Sequence, residues 1–213
     1  VLDYMKQAGQ ISPELQMQAE EFVAQGYQRL LSFEVPGGGF SLFGTEPADP
    51  VLSAYGLMML SDMGRVYPVD REAVDRTAHW LMAQQQPDGS WAAGGRREAA
   101  ALNAVEDRLS TTAFVVWALA EAGYDVTGST LSGVDYLLEH RSETEDPYAL
   151  ALCANARSVA GPDRYLANSV LGRLAQQALV DGDAVYWETG LRTFMGGSGR
   201  AGSVEVTALV AQA

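Results

Sequence analysis

Hydrophobic positions recur along this chain at three- and four-residue spacing, which is the period of an α-helix. Between residues 12 and 31 they form one stripe with a polar back, and Ser12 followed by Pro13 is typical of a helix start. This pattern predicts an amphipathic helix. Similar stripes recur near residues 70–82, 131–138 and 165–174. No long segment alternates with the period of two that indicates a β-strand.

A second kind of helix alternates with the first. Three runs that are apolar nearly all round each follow an aspartate that can cap a helix, namely Asp49, Asp107 and Asp146. In each run an alanine precedes by ten residues a glycine that we expect to end the helix, and these glycines are Gly64, Gly123 and Gly161. The alanine ten residues before Gly64 is Ala54. A fourth apolar run begins at Ser203. The shared register indicates a repeated helical hairpin.

A helix that is apolar all round must be covered on every side. The amphipathic helices can provide this cover if the apolar helices form an inner layer and the amphipathic ones an outer layer. We therefore predict an all-α fold, an α/α toroid of helical hairpins similar to that of terpenoid cyclases and protein prenyltransferases. A linear solenoid is the alternative, but it would leave one side of each inner helix in water. The Gly- and aromatic-rich loops between helices have room for short β-hairpins.

Composition and charge narrow the functional classes. The chain has 213 residues and a net charge of −13, and such an excess of negative charge makes nucleic acid a poor partner. No apolar run is long enough to span a bilayer, so we expect no membrane insertion. The single cysteine, Cys153, excludes an internal disulfide framework, and we expect it to be a small buried hydrophobe. With only two histidines besides, we expect no metal and no cofactor.

The segment from Gln85 to Trp91 resembles the Gln-Trp motif of triterpene cyclases, which fastens helix ends. We expect the same structural role here. The Asp-rich acid motif that those cyclases use to protonate their substrate is absent from the chain. A cyclase-like enzyme is therefore the less favoured interpretation.

An ordered set of short segments carries a more specific resemblance. They are Val1-Leu2-Asp3-Tyr4, Gly26-Tyr27-Gln28-Arg29, Leu52-Ser53-Ala54-Tyr55, Pro87-Asp88-Gly89, Val105-Glu106-Asp107 and Ser203-Val204-Glu205-Val206-Thr207-Ala208. In this order and spacing the set resembles the thioester domain of alpha-2-macroglobulin and complement proteins. The resemblance covers essentially the whole chain and implies the same α/α toroid.

The resemblance also implies a function. In that family the domain carries an internal Cys–Gln thioester within a Gly-Cys-Gly-Glu-Gln motif, and proteolysis exposes it to acylate a target. The implied parent is a protease-trapping inhibitor or a complement-like opsonin of innate immunity, in an extracellular or periplasmic location. Its partners would be proteases or target-cell surfaces and the other domains of the parent chain. A stored acyl donor is used once, so the resemblance does not imply an enzyme.

The chain departs from the family because it lacks the thioester motif. We expect that motif upstream of Val1, so that residues 1–213 are a single domain truncated at both ends. A homologue without a thioester, acting as a structural or binding domain, is the alternative.

Two residues are expected near the thioester. Some complement members carry a histidine in the loop after the Asp-Gly motif, and it directs transfer to hydroxyl groups. The matching position here falls near Glu98, and no histidine lies between residues 80 and 139. The resemblance therefore implies direct attack by amines, chiefly lysine. Phe43 matches an aromatic side chain that shields the thioester from water, the alternative being that Phe43 packs within its own loop.

Overall fold

The computed structural model describes residues 2–9, 11–92, 107–124, 127–160 and 164–213. In this part of the chain the helices are α1 (Leu2–Gln7), α2 (Pro13–Leu31), α3 (Pro50–Gly64), α4 (Arg71–Ala83), α5 (Arg108–Leu119), α6 (Gly128–His140), α7 (Pro147–Ala160), α8 (Arg164–Gln176) and α9 (Arg200–Gln212). A π-helical turn, Ala120–Tyr124, extends α5. The strands β1 (Leu179–Asp181) and β2 (Ala184–Tyr186) form an antiparallel hairpin in which Val180 pairs with Val185.

Capping side chains begin the helices at the predicted residues. The Asp49 carboxylate accepts hydrogen bonds from the backbone N–H groups of Val51 at 2.9 Å and Leu52 at 3.0 Å, which are the unpaired donors of the first turn of α3. Further predicted helix starts accept in the same way through Ser12, Asp70, Asp107 and Asp146. Thr127 caps α6 similarly, although the sequence pattern did not identify it as a cap. The predicted starts are local features, which explains why the sequence predicts them.

Two predicted boundaries are wrong in detail. Gly64 was expected to end α3 in a left-handed conformation, but it is the last helical residue and is followed by Arg65 in a right-handed one. The last helix was expected from Ser203, but α9 begins at Arg200 because the left-handed Gly199 precedes it. The predicted stop at Gly123 is confirmed, since its φ is 88°. The corresponding Gly161 lies outside the described residues.

Inner and outer helices alternate as predicted. The helices α3, α5, α7 and α9 pack side by side in that order, while α4 lies against α3, α6 against α5 and α8 against α7. Every residue from Leu109 to Leu119 of α5 is buried. The alanines that share a register, Ala54, Ala113 and Ala151, are each 0% exposed, so the repeated position is fully buried in the inner layer. The predicted all-α toroid of hairpins is confirmed.

The Gly- and aromatic-rich loops fasten the two layers together. The Trp91 indole N–H donates to the Leu81 carbonyl at the end of α4 at 2.7 Å, and the Trp91 backbone N–H donates to Thr112 Oγ1 in α5 at 3.1 Å. The Gln85 side chain donates to the carbonyls of Gly89 and Ser129, which joins this loop to α6. The structural role expected of the segment from Gln85 to Trp91 is therefore confirmed.

The same pair of hydrogen bonds occurs again near the end of the chain. The Trp187 indole N–H donates to the Leu174 carbonyl at 2.7 Å, and its backbone N–H donates to Thr207 Oγ1 at 3.2 Å. The loop between α2 and α3 has only the second of these two hydrogen bonds, the one from a loop backbone N–H to a hydroxyl group of the next inner helix. There the Phe40 N–H donates to Ser53 Oγ at 2.8 Å. The repeat seen in the sequence is thus a repeat of hydrogen bonds between a loop and the inner helix that follows it.

Candidate functional site

Of the two residues expected near a thioester, the structure describes one. Phe43 lies in the loop between α2 and α3, and its side chain is 76% exposed. Glu98 lies in the segment 93–106, outside the described residues. The exposure of Phe43 does not agree with the alternative that it packs within its own loop, because a ring that packs there would be largely covered.

The loop that carries Phe43 is anchored on both sides. The buried Phe40 pairs through its backbone with Asp49, whose N–H donates to the Phe40 carbonyl at 2.8 Å. The Thr45 N–H donates to Ser41 Oγ at 2.9 Å. A side chain at Gly44 would collide with the carbonyl of Ser32, so the loop lies close against the end of α2. Phe43 is therefore an exposed aromatic ring on a loop with a defined conformation.

An apolar trough runs along α3 beside this loop. It consists of a cavity of about 610 Å³ between α3, α5, α7 and α9 and a cavity of about 440 Å³ between α2 and α3. The two cavities share one face of α3, formed by Leu52, Tyr55, Met59 and Met63. Tyr55 is 38% exposed, although α3 is an inner helix. This face of α3 is thus open and apolar.

A polar cluster lies in the wall of the larger cavity. Thr193 Oγ1 donates to the Glu205 carboxylate at 2.5 Å, and the Phe194 N–H donates to the Tyr148 hydroxyl oxygen at 2.9 Å. Burial raises the pKa of Glu205, and it raises the pKa of Tyr148 so that its phenol stays protonated. This cluster holds one acid and one neutral phenol, and the residues that line the cavity include no histidine, lysine or cysteine that could act as a nucleophile.

The thiol of the single cysteine, Cys153, is in an environment that makes it unreactive. Cys153 is buried in α7, and burial raises the pKa of its thiol to about 12. The thiolate is the nucleophilic form, and almost none of it exists at neutral pH with such a value. The expectation that Cys153 is a small buried hydrophobe is confirmed.

The described residues give no sign of a metal centre or of a membrane span. Across the described ranges, no three His, Cys, Asp or Glu side chains come together as a possible metal site. His140 instead stacks on Tyr136, with 4.0 Å between ring centroids. None of the described helices combines the length and hydropathy needed to cross a bilayer.

Comparison with known proteins decides the family. The family model of the A-macroglobulin TED domain matches residues 1–210. This chain belongs to that family. The TED domain is 30% identical to ovostatin of Gallus gallus over 198 residues, which cover 91% of this chain and 13% of ovostatin. It is 26% identical to alpha-2-macroglobulin-like protein 1 of Mus musculus over 195 residues, covering 88% of this chain and 13% of that protein. The TED domain therefore spans a small part of the relatives that it matches.

Sequence reasoning missed the polar cluster of this TED domain. Glu205 is the one acidic residue between Arg200 and Ala213, an otherwise largely apolar run. A lone acid in such a run is the signal that could have identified it. Its partners Thr193 and Tyr148 are 12 and 57 residues away in the sequence, and no local pattern connects them.

Proposed function

We propose that this TED domain is the capture domain of a secreted alpha-2-macroglobulin-like protease trap or complement-like opsonin, acting through a Cys–Gln thioester located N-terminal to Val1. The observation that carries the proposal is the family match over residues 1–210, together with 30% identity to ovostatin over 91% of the chain. Proteases or target-cell surfaces, and the other domains of the parent protein, are the proposed partners. The proposed location is extracellular or periplasmic.

The proposed reaction is one acyl transfer for each molecule. A lysine amine of the target attacks the thioester carbonyl carbon, a C–N bond forms, the C–S bond breaks, and the cysteine leaves as a thiolate that takes up the proton of the amine. The product is an amide that links the trap to its target. Because the thioester is not regenerated, the domain performs no turnover and is not an enzyme.

The geometry around Phe43 supports this proposal. The open face of α3, formed by Leu52, Tyr55, Met59 and Met63, is a surface on which we propose that the segment N-terminal to Val1 packs. The anchored loop with Phe43 lies beside that surface. A thioester carried by such a segment would come close to an exposed aromatic ring, which can keep water from a reactive acyl group.

The test is the intact mass of the parent protein before and after treatment with methylamine, combined with a count of free thiols. A mass gain of one methylamine and one new free thiol are expected. The variant Cys153→Ala is the matched control, because a buried thiol outside the thioester should not change either result.

The opposite outcome identifies the alternative. If neither the mass nor the thiol count changes, the parent protein holds no thioester and the domain has a structural or non-covalent binding role. If Cys153→Ala removes the methylamine reaction without unfolding the protein, the assignment of an upstream cysteine is wrong.

A further inference from the structure

A Gly-rich segment forms part of the wall of the larger cavity. This segment, Thr193–Gly199, precedes α9 and contains two left-handed glycines, Gly196 with φ 81° and Gly199 with φ 53°. Its Phe194 is only 9% exposed and inserts between aromatic side chains, with its ring centroid 5.0 Å from Phe114 and 5.8 Å from Tyr148. A segment with glycines at its end and one buried aromatic ring has the features of a hinged lid.

Hydrogen bonds to Glu205 hold this segment in place. Thr193 Oγ1 donates to the Glu205 carboxylate at 2.5 Å and accepts from the Gly197 N–H at 2.8 Å. The Met195 N–H and the Tyr148 hydroxyl group lie near enough to this carboxylate to lower its pKa. Glu205 of α9 therefore holds both ends of the Gly-rich turn through Thr193, and the Phe194 N–H joins the turn to α7 by donating to the Tyr148 hydroxyl oxygen.

We propose that Thr193–Gly199 is a lid on the cavity, that Phe194 is its plug, and that Glu205 is its latch, which holds the lid more firmly in mild acid than at neutral pH. The closed lid is the conformation of the structure. In the open conformation Phe194 leaves its aromatic neighbours, and the cavity between α3, α5, α7 and α9 becomes larger and more accessible.

The direction of the pH effect follows from burial. In the closed lid, burial raises the pKa of Glu205 more than the hydrogen bonds from Thr193, Tyr148 and Met195 lower it. In the open lid the carboxyl group faces water, and its pKa returns to the ordinary value. The closed lid therefore binds the proton more tightly. Closure is favoured as the pH falls through the raised pKa, with about a tenfold change in the closing equilibrium for each unit of difference in pKa.

The other titratable or charged groups near Glu205 among the described residues are Tyr148, Asp62 and Arg192. From α7 it faces Tyr148, whose phenol stays protonated, and from α3 the cavity is lined by one carboxyl group, that of Asp62. The helix α5 contributes the aromatic rings of Phe114 and Trp117, which do not titrate. Arg192 beside the lid donates to the Gly196 carbonyl at 3.2 Å.

The test is residue-resolved amide hydrogen exchange on the full chain at about pH 5 and about pH 7.5, corrected for the intrinsic exchange rate at each pH. Protection of the Met195 and Gly197 amides should be several-fold higher at the lower pH. In Glu205→Gln, which keeps the shape and stays neutral, this pH dependence should disappear while protection remains. In Thr193→Val, protection should be lower at both values.

Matched controls separate the pH response caused by Glu205 from general effects of pH on the protein. Glu188→Gln removes an exposed carboxylate in the same connection and should behave like the original chain. The Trp91 amide, which donates to Thr112 in another hairpin, should show no such pH dependence. The proposal is overturned if Met195 and Gly197 are equally protected at both values, or if Glu205→Gln retains the pH dependence.

Discussion

At the scale of single residues, two adjacent threonines of α5 illustrate what a buried hydroxyl group contributes. Both side chains are 0% exposed. Thr112 Oγ1 accepts the backbone N–H of Trp91, whereas Thr111 Oγ1 has no hydrogen-bond partner among the described residues. The same hydroxyl group is thus a required acceptor at Thr112, whereas at Thr111 it makes no hydrogen bond with the described residues.

This contrast makes a prediction for urea unfolding. Thr112→Val should lower the free energy of unfolding by about 1–3 kcal/mol, because it leaves the buried N–H of Trp91 without an acceptor. Thr111→Val should be neutral or stabilising, because it removes a hydroxyl group that already lacks a partner. Equal destabilisation by the two substitutions would contradict this account of the loop.

At the scale of secondary-structure elements, features set by neighbouring residues are the ones that the sequence predicts. Asp49 caps α3 through residues two and three positions away, and Ala54 has the apolar register of its own helix. The cluster at Glu205 depends on Tyr148 of α7, which is 57 residues away, so no short window of the sequence contains both residues. The site near Phe43 follows from resemblance, because neither periodicity nor composition distinguishes that ring.

Packing between elements gives a second prediction, from two glycines of α6. A Cβ atom at Gly133 would lie 2.5 Å from Val116 and 2.9 Å from Trp91, whereas one at Gly128 would meet nothing within 4 Å. Gly133→Ala should therefore destabilise the fold by about 1–3 kcal/mol through overpacking. Gly128→Ala should be neutral or stabilise it by up to about 1 kcal/mol, since alanine restricts the unfolded chain. Chemical denaturation of the two variants measures both effects, and a tolerated Gly133→Ala would show that α6 packs less closely on α5.

At the scale of the whole molecule, the residues that stabilise the fold and the residues of the candidate site lie in different places. The inner helix α5 is buried all round and packs against α3, α6 and α7. The loops at the ends of the helices carry Phe43, and the open face of α3 offers an apolar surface beside it. The two histidines, His79 and His140, lie outside the range 80–139, and the resemblance implies that the position of the histidine found in some complement members falls within that range, near Glu98.

The choice of acyl acceptor is therefore a prediction for the whole molecule. If the parent protein holds the proposed thioester, it should couple to amines such as methylamine or lysine far faster than to glycerol at equal concentration, because no histidine is available to form an acyl intermediate that hydroxyl groups could attack. Competition between labelled amine and labelled glycerol, read by intact mass, measures the ratio. A chain with Glu98→His is the matched gain-of-function variant, and an increase in glycerol coupling would place residue 98 beside the thioester. Equal coupling of both acceptors in the original chain would mean that another residue performs the role of the histidine.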